Sequence, residues 1–482
     1  ADHFRLTQPV LGIDDSDVLC VTLAGLCHDL GHGPLSHLWE GQFLAAAESA
    51  DPSMKPPCHE DLSCAILDLL LARNEIDISP WLLPEDIEFV KALIRGSPSP
   101  FTDGDAMRLG SKGVPGSDKS FLYEIVANQR SGFDVDKLDY FERDCAFAGT
   151  VKVSFDRSRL MAQARVAALD QGSDADDKGT DAERSSGSVL HICWPVKCVF
   201  EVMQVFITRF SLHYELYQHR VVSAIGLMLR DALVLADRSQ SFRVYGGPQG
   251  TAALRLCECG GARDPGLAGY LQLDDGILSV IVAEARRQQG VAGASSDGGR
   301  VDDDLQAAAA LLRRIERRDL YRFAGSVTFE EGVQVPSMDS VANDLVALSR
   351  GALDADQLRV DLRRVHCGQG PRNPLERIWF FDNKGASASE TRDSLGAIGD
   401  DAQLAVPTAF RHPSASYAAR LPSAFEERSL RVFVTDDAAL GAAQDALAQW
   451  CDERSLCSVD GLCFIGNSVP ESEVQTVSVT RD

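Results

Sequence analysis

Apolar positions in residues 15–28, "DSDVLCVTLAGLCH", recur every three or four residues, which predicts a buried helix ending at His28. Gly31, Gly33 and Pro34 then break the pattern. Beyond the break, "SHLWEGQFLAAAES" predicts a second helix, with Ser36 as its cap and Trp39 and Phe43 four apart on one face. The same spacing predicts helices over 59–74, 84–95, 119–130 and 134–147. Residues 199–237 contain no proline and a single interior breaker, Gly226, so they predict one or two long helices. The first half of the chain is therefore expected to be nearly all helical.

The pattern changes after residue 350. "LRVDLRRV", "RIWFFDN" and "SLRVFVTDD" alternate or concentrate β-branched and aromatic residues, as strands do, and "AALGAAQDALAQWCDERS" supplies a further helix. The fold class expected is mainly α, with a helical core over 1–240, a helical extension over 241–345 and a smaller C-terminal α+β lobe over 346–482. The lobe is expected to serve regulation or oligomerisation. Stretches 171–188, 290–304 and 383–401 are polar, small and poor in apolar residues, so they are expected to be mobile surface insertions.

Composition narrows the function. At 482 residues, 45% apolar and 24% charged, the chain has the make-up of a soluble globular protein of roughly two or three domains. Lys and Arg total 47 against 71 Asp and Glu, a net charge of -24 that disfavours nucleic acid and anionic membrane as partners. An anionic ligand then needs a local basic pocket. No apolar run approaches the roughly 20 residues of a membrane helix and no leader pattern opens the chain, which points to an intracellular protein, nuclear or cytoplasmic. The 13 cysteines form no compact framework and suit reduced thiols; Cys257 and Cys259 in "CECGG" make half of a zinc motif with no second pair.

Four stretches could carry chemistry. "LCHDLGHGPLSHLWE", residues 26–40, holds three histidines and two acids. Adjacent helical side chains normally diverge, but at a helix end the His28 imidazole and Asp29 carboxylate can converge on one ion. Mixed nitrogen and oxygen ligation suits Zn, Mn or Fe and leaves positions for water and phosphate. A histidine simply paired with its neighbour is the alternative. "GFDVDKLDYFERD", residues 132–144, places Asp136, Tyr140 and Asp144 on one helical face with Lys137 beside them, as a site or as a solvated charged face. "TRFSLHYELYQH" spaces Arg209, His213 and Tyr217 by four, with Gln218 adjacent. Arg offers a fork for phosphate, and Tyr with Gln can hold a sugar or base; a surface stripe is the alternative. "CHEDLS" puts His59 and Glu60 at a helix start, where anions are favoured and where a cap would also sit.

These stretches, with "SFLYEIVANQRSGFDVDKLDYFERDCAFAGT", "LRRIERRDLYRFAG", "NPLERIWFF" and "LAQWCDERS", resemble the HD-superfamily deoxynucleoside triphosphate triphosphohydrolases, above all the eukaryotic members that join a SAM domain to an HD domain. The resemblance covers nearly the whole chain. It implies an HD-domain core with a divalent metal (Fe, Mn, Zn or Mg) on His28, Asp29 and Asp136. It places His32, His37, His59, Lys137 and Arg209 around the triphosphate, and Tyr140, Asp144, Tyr217 and Gln218 at the sugar and base, with His213 on the same wall. Tyr140 would crowd the position of a ribose 2′ hydroxyl, and Asp144 with Gln218 would read the 3′ hydroxyl.

The implied reaction is attack of a metal-activated water on the phosphorus nearest the sugar, releasing a deoxynucleoside and tripolyphosphate and so controlling dNTP pools. His37 with Glu40, three apart on one helical face, is the expected acid and orienting partner for the leaving oxygen, with His59 as second candidate. The resemblance also implies a homo-oligomer, dimer or tetramer, and a GTP or dGTP activator. Arg165 and Lys197 fall where relatives bind activator phosphates, whereas Pro195 and Glu215 stand where relatives place basic residues. Relatives begin the metal site with a histidine in an "HS" motif before the His-Asp pair. His3 lacks that motif, so the start at Ala1 is read as truncated, with three of four ligands present. The competing readings are another HD phosphohydrolase, a nucleotidase or phosphodiesterase, and a catalytically silent nucleotide-binding module.

Overall fold

The computed structural model describes residues 1–465 except 51–56, 97–118, 170–189, 248–249, 261–264, 295–300, 331, 383–406, 414–415, 455–456 and 460–461. The expected insertions 171–188 and 383–401 lie outside the described residues. Of 290–304, only the middle does: 290–294 continue a helix and 303–304 begin the next.

Helix α1 (Asp15–Cys27) starts at a capping box in which the Asp14 carboxylate accepts from the Asp17 amide at 2.8 Å and Asp17 returns the bond at 3.0 Å. Buried Asp17 is also held by Lys119 at 2.5 Å, so the entry to α1 is pinned by an ion pair from a distant segment. Cys20, Val21, Ala24 and Cys27 turn inward, and the helix closes on His28. A π-helical turn (Trp39–Leu44) leads into helix Ala45–Ala50, and α2 (His59–Arg73) and α3 (Pro84–Arg95) follow. Trp39 and Phe43 pack with ring centroids 4.7 Å apart, as their spacing predicted.

The expected helix over 119–130 is cut to a 3₁₀ turn, Ser120–Leu122, and a short helix, Tyr123–Val126. The Asn128 side chain stops it by bonding the Phe133 carbonyl and the amides of Arg130 and Ser131, drawing the backbone into a turn. α4 (Val135–Ala148) is capped by Asp134 and closed by Gly149 at φ 68°.

The first half is not all helical. β1 (Arg165–Leu169) and β2 (Leu190–Pro195) pair antiparallel with Arg165 opposite Cys193. α5 (Val199–Leu212) then runs into a second π-turn, His213–Tyr217, and α6 (Arg220–Arg238) begins beyond His219. The break in the long helical stretch thus falls at Gln218 and His219, where no Gly or Pro stands; Gly226 is buried inside α6.

A small hairpin, β3 (Val244–Gly246) with β4 (Ala252–Leu254), precedes α7 (Ile277–Ala294) and α8 (Asp303–Glu316). α6, α7 and α8 enclose the apolar cluster that contains Trp39 and Phe43. Buried Cys257 and Cys259 belong to the same cluster.

The C-terminal sheet has the order β10-β11-β5-β9-β6. β5 (Arg322–Phe329), α9 (Met338–Leu348) and β6 (Leu358–His366) enter first. β7 (Trp379–Phe381), the expected aromatic strand, instead joins the earlier sheet in the order β7-β2-β1-β8, with β8 at Thr408–Ala409. β9 (Glu426–Val434) pairs antiparallel with both β5 and β6. Helix α10 (Leu440–Glu453) packs with α9 on one face through Trp450, Leu447, Val341 and Leu345, and β10 (Cys457–Val459) and β11 (Leu462–Ile465) close the order. Among the described residues no helix is long and apolar enough to cross a membrane.

Candidate active site

His28 ends α1 and is held at both ring nitrogens. Nδ1 lies 2.8 Å from the Gly25 carbonyl, so it carries a proton and donates. Nε2 stands 3.2 Å from Asp29 Oδ1 and 3.3 Å from Asp136 Oδ1. Asp136 comes from the first turn of α4, 108 residues later in the chain. The hydrogen bond to Asp136 is the largest cause pushing the His28 pKa up to about 9, against its own burial. Two carboxylates aimed at one imidazole nitrogen call for positive charge between them. Their donor atoms and Nε2 lie within 4.8 Å of one another, and one nitrogen with two carboxylate oxygens is a donor set that fits a divalent cation.

The turn after the pair is shaped by close approach. A Cβ on Gly31 would lie 2.0 Å from the His59 carbonyl and 2.5 Å from the Ser63 amide, and one on Gly33 would lie 2.7 Å from the Trp39 ring. Ser63 Oγ donates to the His28 carbonyl at 2.6 Å and accepts from the Gly31 amide at 2.8 Å. The Tyr270 hydroxyl donates to the Gly31 carbonyl at 2.6 Å. Leu35 and Ser36 follow at φ 61° and 54°, left-handed values that cost non-glycine residues about 1 kcal/mol or more each. Asp275 holds the turn by accepting from the Leu35 amide at 2.8 Å. Ser36 is therefore not the expected helix cap: although helical residues begin at His37, its left-handed backbone lies in the turn and its hydroxyl faces His32 Nδ1 at 3.3 Å.

Three histidine rings gather beside this turn. His32 and His59 stack at 4.1 Å, and His37 meets His32 edge-on at 4.9 Å. Burial, then the neighbouring His59, lowers the His32 pKa. Glu40, on the first π-turn, accepts from His59 Nδ1 at 2.9 Å and from the His59 amide at 3.3 Å. The glutamate expected to orient His37 thus orients His59, while His37 is the more exposed ring.

α4, α5 and the second π-turn carry most of the remaining expected residues. Lys137 is tied to buried Asp134 at 2.9 Å. Asp144 accepts from the Tyr217 hydroxyl at 2.5 Å, which joins the two expected sugar-contact residues across helices. Burial raises the pKa of Tyr140, which faces Arg209, and burial with the Asp144 bond raises that of Tyr217. Arg209 donates to the His366 carbonyl. Burial, then Arg209, pushes the His213 pKa down to about 3, so this ring is neutral. Gln218 Nε2 donates to the Arg364 carbonyl at 3.1 Å and lies 3.4 Å from His213 Nδ1.

The other expected residues lie elsewhere. Arg165, on β1, donates to the carbonyls of Ala162 and Ala164 at 3.0 and 2.7 Å and contacts His3 Nε2 at 3.1 Å; Lys197 is exposed just beyond β2. Cys257 and Cys259 stay outside the histidine cluster, with burial pushing both thiols up to about 12. Ser63, Tyr270 and Asp275 are the residues that the sequence reading missed.

The site is thus a His-Asp pair closing a helix, met by a remote aspartate on a helical core. The chain is 32% identical over 460 residues to the deoxynucleoside triphosphate triphosphohydrolase SAMHD1 of Bos taurus, covering 92% of this chain and 66% of that protein. It is 31% identical to SAMHD1 of Homo sapiens over 93% of this chain and 63% of that protein. A putative HD domain-containing protein of Acanthamoeba polyphaga mimivirus is 27% identical over 48% of this chain and 41% of its own length. No protein-family model matches the chain. Along about nine tenths of its own length the chain is similar to these triphosphohydrolases, and it spans slightly less than two thirds of the SAMHD1 relatives it matches.

Proposed function

We propose that this protein hydrolyses deoxynucleoside triphosphates to a deoxynucleoside and inorganic triphosphate, lowering dNTP pools, with a divalent cation held by His28, Asp29 and Asp136. The observation that carries the reading is the meeting of His28 Nε2 and Asp136 Oδ1 at 3.3 Å beside the His59–Glu40 pair. When bound, the ion supplies Lewis acidity at the phosphorus nearest the sugar and lowers the pKa of the attacking water.

The residues do the rest. Lys137, Arg209 and His32 offset the triphosphate charge in a chain whose overall charge repels it. His59, oriented by Glu40, gives a proton to the departing 5′ oxygen as the P–O5′ bond breaks and the water oxygen bonds to phosphorus. Tyr140 closes the space beside the 2′ carbon, and Asp144, Tyr217 and Gln218 read the 3′ side of the sugar. Arg165 and Lys197 are candidates for the phosphates of a GTP or dGTP activator of a homo-oligomer, a reading that sedimentation with and without GTP checks.

Product analysis tests the reaction. The chain is incubated with dATP or dGTP and Mn²⁺ or Mg²⁺, and products are resolved by ³¹P NMR and chromatography. Deoxynucleoside with intact triphosphate is expected. A monophosphate with pyrophosphate would point to a different HD phosphohydrolase, and nucleotide binding without product to a silent binding module.

A further inference from the structure

The last carbonyls of a helix have no partner within it and lie at the negative end of its dipole. α5 and its π-turn end at Gln218 with no Gly or Pro to explain the stop. Two of the carbonyls there are taken by arginines of the C-terminal sheet. Arg363 on β6 reaches the Tyr214 carbonyl at 3.3 Å and lies 4.1 Å over the Tyr214 ring. Arg431 on β9 donates to the Gln218 carbonyl at 2.6 Å and to Ser223 Oγ, in the first turn of α6, at 3.1 Å. Both arginines are buried, at 6% and 8% exposure. Their strands are paired with Asp361 opposite Arg431 and Arg363 opposite Ser429, so the two guanidiniums rise from one face of one sheet. Arg363 is fixed in turn by Glu427 at 2.8 Å.

Arg431 therefore straddles the break between α5 and α6. The turn it caps presents Tyr217, bonded to Asp144, and Gln218, whose amide also reaches back to the Arg364 carbonyl of the same sheet. We infer that Arg431 is a positioning residue: it fixes the turn that reads the sugar, so that the C-terminal lobe sets the discrimination of the active site in the helical core. This rests on the proposed reading of that site. A guanidinium suits the task because its planar Nη1 presents two N–H donors in fixed directions, one to each acceptor, which a freely rotating lysine ammonium on a flexible stem does not.

The test compares Arg431→Met, Arg431→Lys and Ser223→Ala in the full chain. Three quantities are read: binding of dATP in EDTA by calorimetry, kcat and KM for dATP against ATP, and thermal stability. Arg431→Met is expected to weaken dATP binding and raise KM about tenfold, with kcat within about threefold and the preference for dATP over ATP reduced. Arg431→Lys is expected to recover part of both, and Ser223→Ala, which removes one of the two acceptors, to show a smaller loss of the same kind. Unchanged KM and sugar preference in Arg431→Met would overturn the inference. So would a loss of kcat that only follows the loss of folded protein and that Arg431→Lys does not relieve. Wild-type chain that binds dATP but releases no triphosphate would defeat the proposed reaction alone, since the binding measurement still decides the role of Arg431.

Discussion

Glu40 grips His59 at two points: one carboxylate oxygen accepts from Nδ1 at 2.9 Å and the other from the backbone amide at 3.3 Å. The ring can then neither rotate nor change tautomer freely, and Nε2 is left to exchange a proton. His59→Gln is expected to lower kcat for dNTP hydrolysis by roughly 10²–10⁴ with little change in KM, and Glu40→Gln to lower it less. His37→Gln is expected to cost less than His59→Gln. Steady-state kinetics of the three variants checks the assignment, and a larger loss at His37 than at His59 would reverse it.

On the proposed reading, metal content depends on a contact that no single helix contains. Asp136→Ala removes a carboxylate from the set around His28 Nε2 and is expected to leave less than about a tenth of an equivalent of divalent metal after gel filtration, read by mass spectrometry of the ion. Ser63→Ala removes the bond to the His28 carbonyl, and its expected effect is about tenfold weaker metal binding. Metal bound equally by wild type and Asp136→Ala would place the ion elsewhere.

Gly31 and Gly25 make a paired test of the turn. A Cβ on Gly31 meets the His59 carbonyl at 2.0 Å, whereas one on Gly25, within α1, meets nothing within 4 Å. Gly31→Ala is expected to destabilise the fold by about 1–3 kcal/mol and to displace His59, lowering activity with stability. Gly25→Ala is expected to be neutral or to stabilise by up to about 1 kcal/mol, since alanine is the better helix former. Thermal unfolding of both variants checks the contrast.

Local periodicity made α1, α2, α3, α4 and most of α5 and α6 legible, because each buries one face. The proposed metal set was named from the His28-Asp29 pair and the Asp136 stretch through their likeness to a family, and the structure brings these three side chains together. What local spacing could not show is which distant group completes each contact. Nothing near Glu40 marks His59 as its partner, and nothing near Gly31 announces Ser63 or Tyr270. The π-turns under Glu40 and Tyr217 escaped because their sequences read as ordinary helix; the second is held by arginines more than 140 residues away. β1 and β2 escaped because short strands buried in a helical region have no alternating face to display.

Acid sensitivity follows from His366. Its Nδ1 accepts from the amides of Gly368 and Gly370 at 3.0 and 3.3 Å, so that nitrogen must be unprotonated in the folded state. Burial, then Arg209 and Arg364, push its pKa down to about 4, with Glu426 opposing. The unfolded chain takes the proton near 6.5. Between these values the unfolded state binds more protons, so stability rises with pH across the window and is lost as pH falls from about 6.5 toward 4. Above that window His366 adds no slope. His213, lowered further by burial and by Arg209, His366 and His37, adds to the same trend. Melting temperatures from pH 7.5 to 4.5 should fall more steeply for wild type than for His366→Gln, whose amide oxygen can still accept from the glycine amides but does not titrate. Parallel curves would show that His366 carries no part of the acid response.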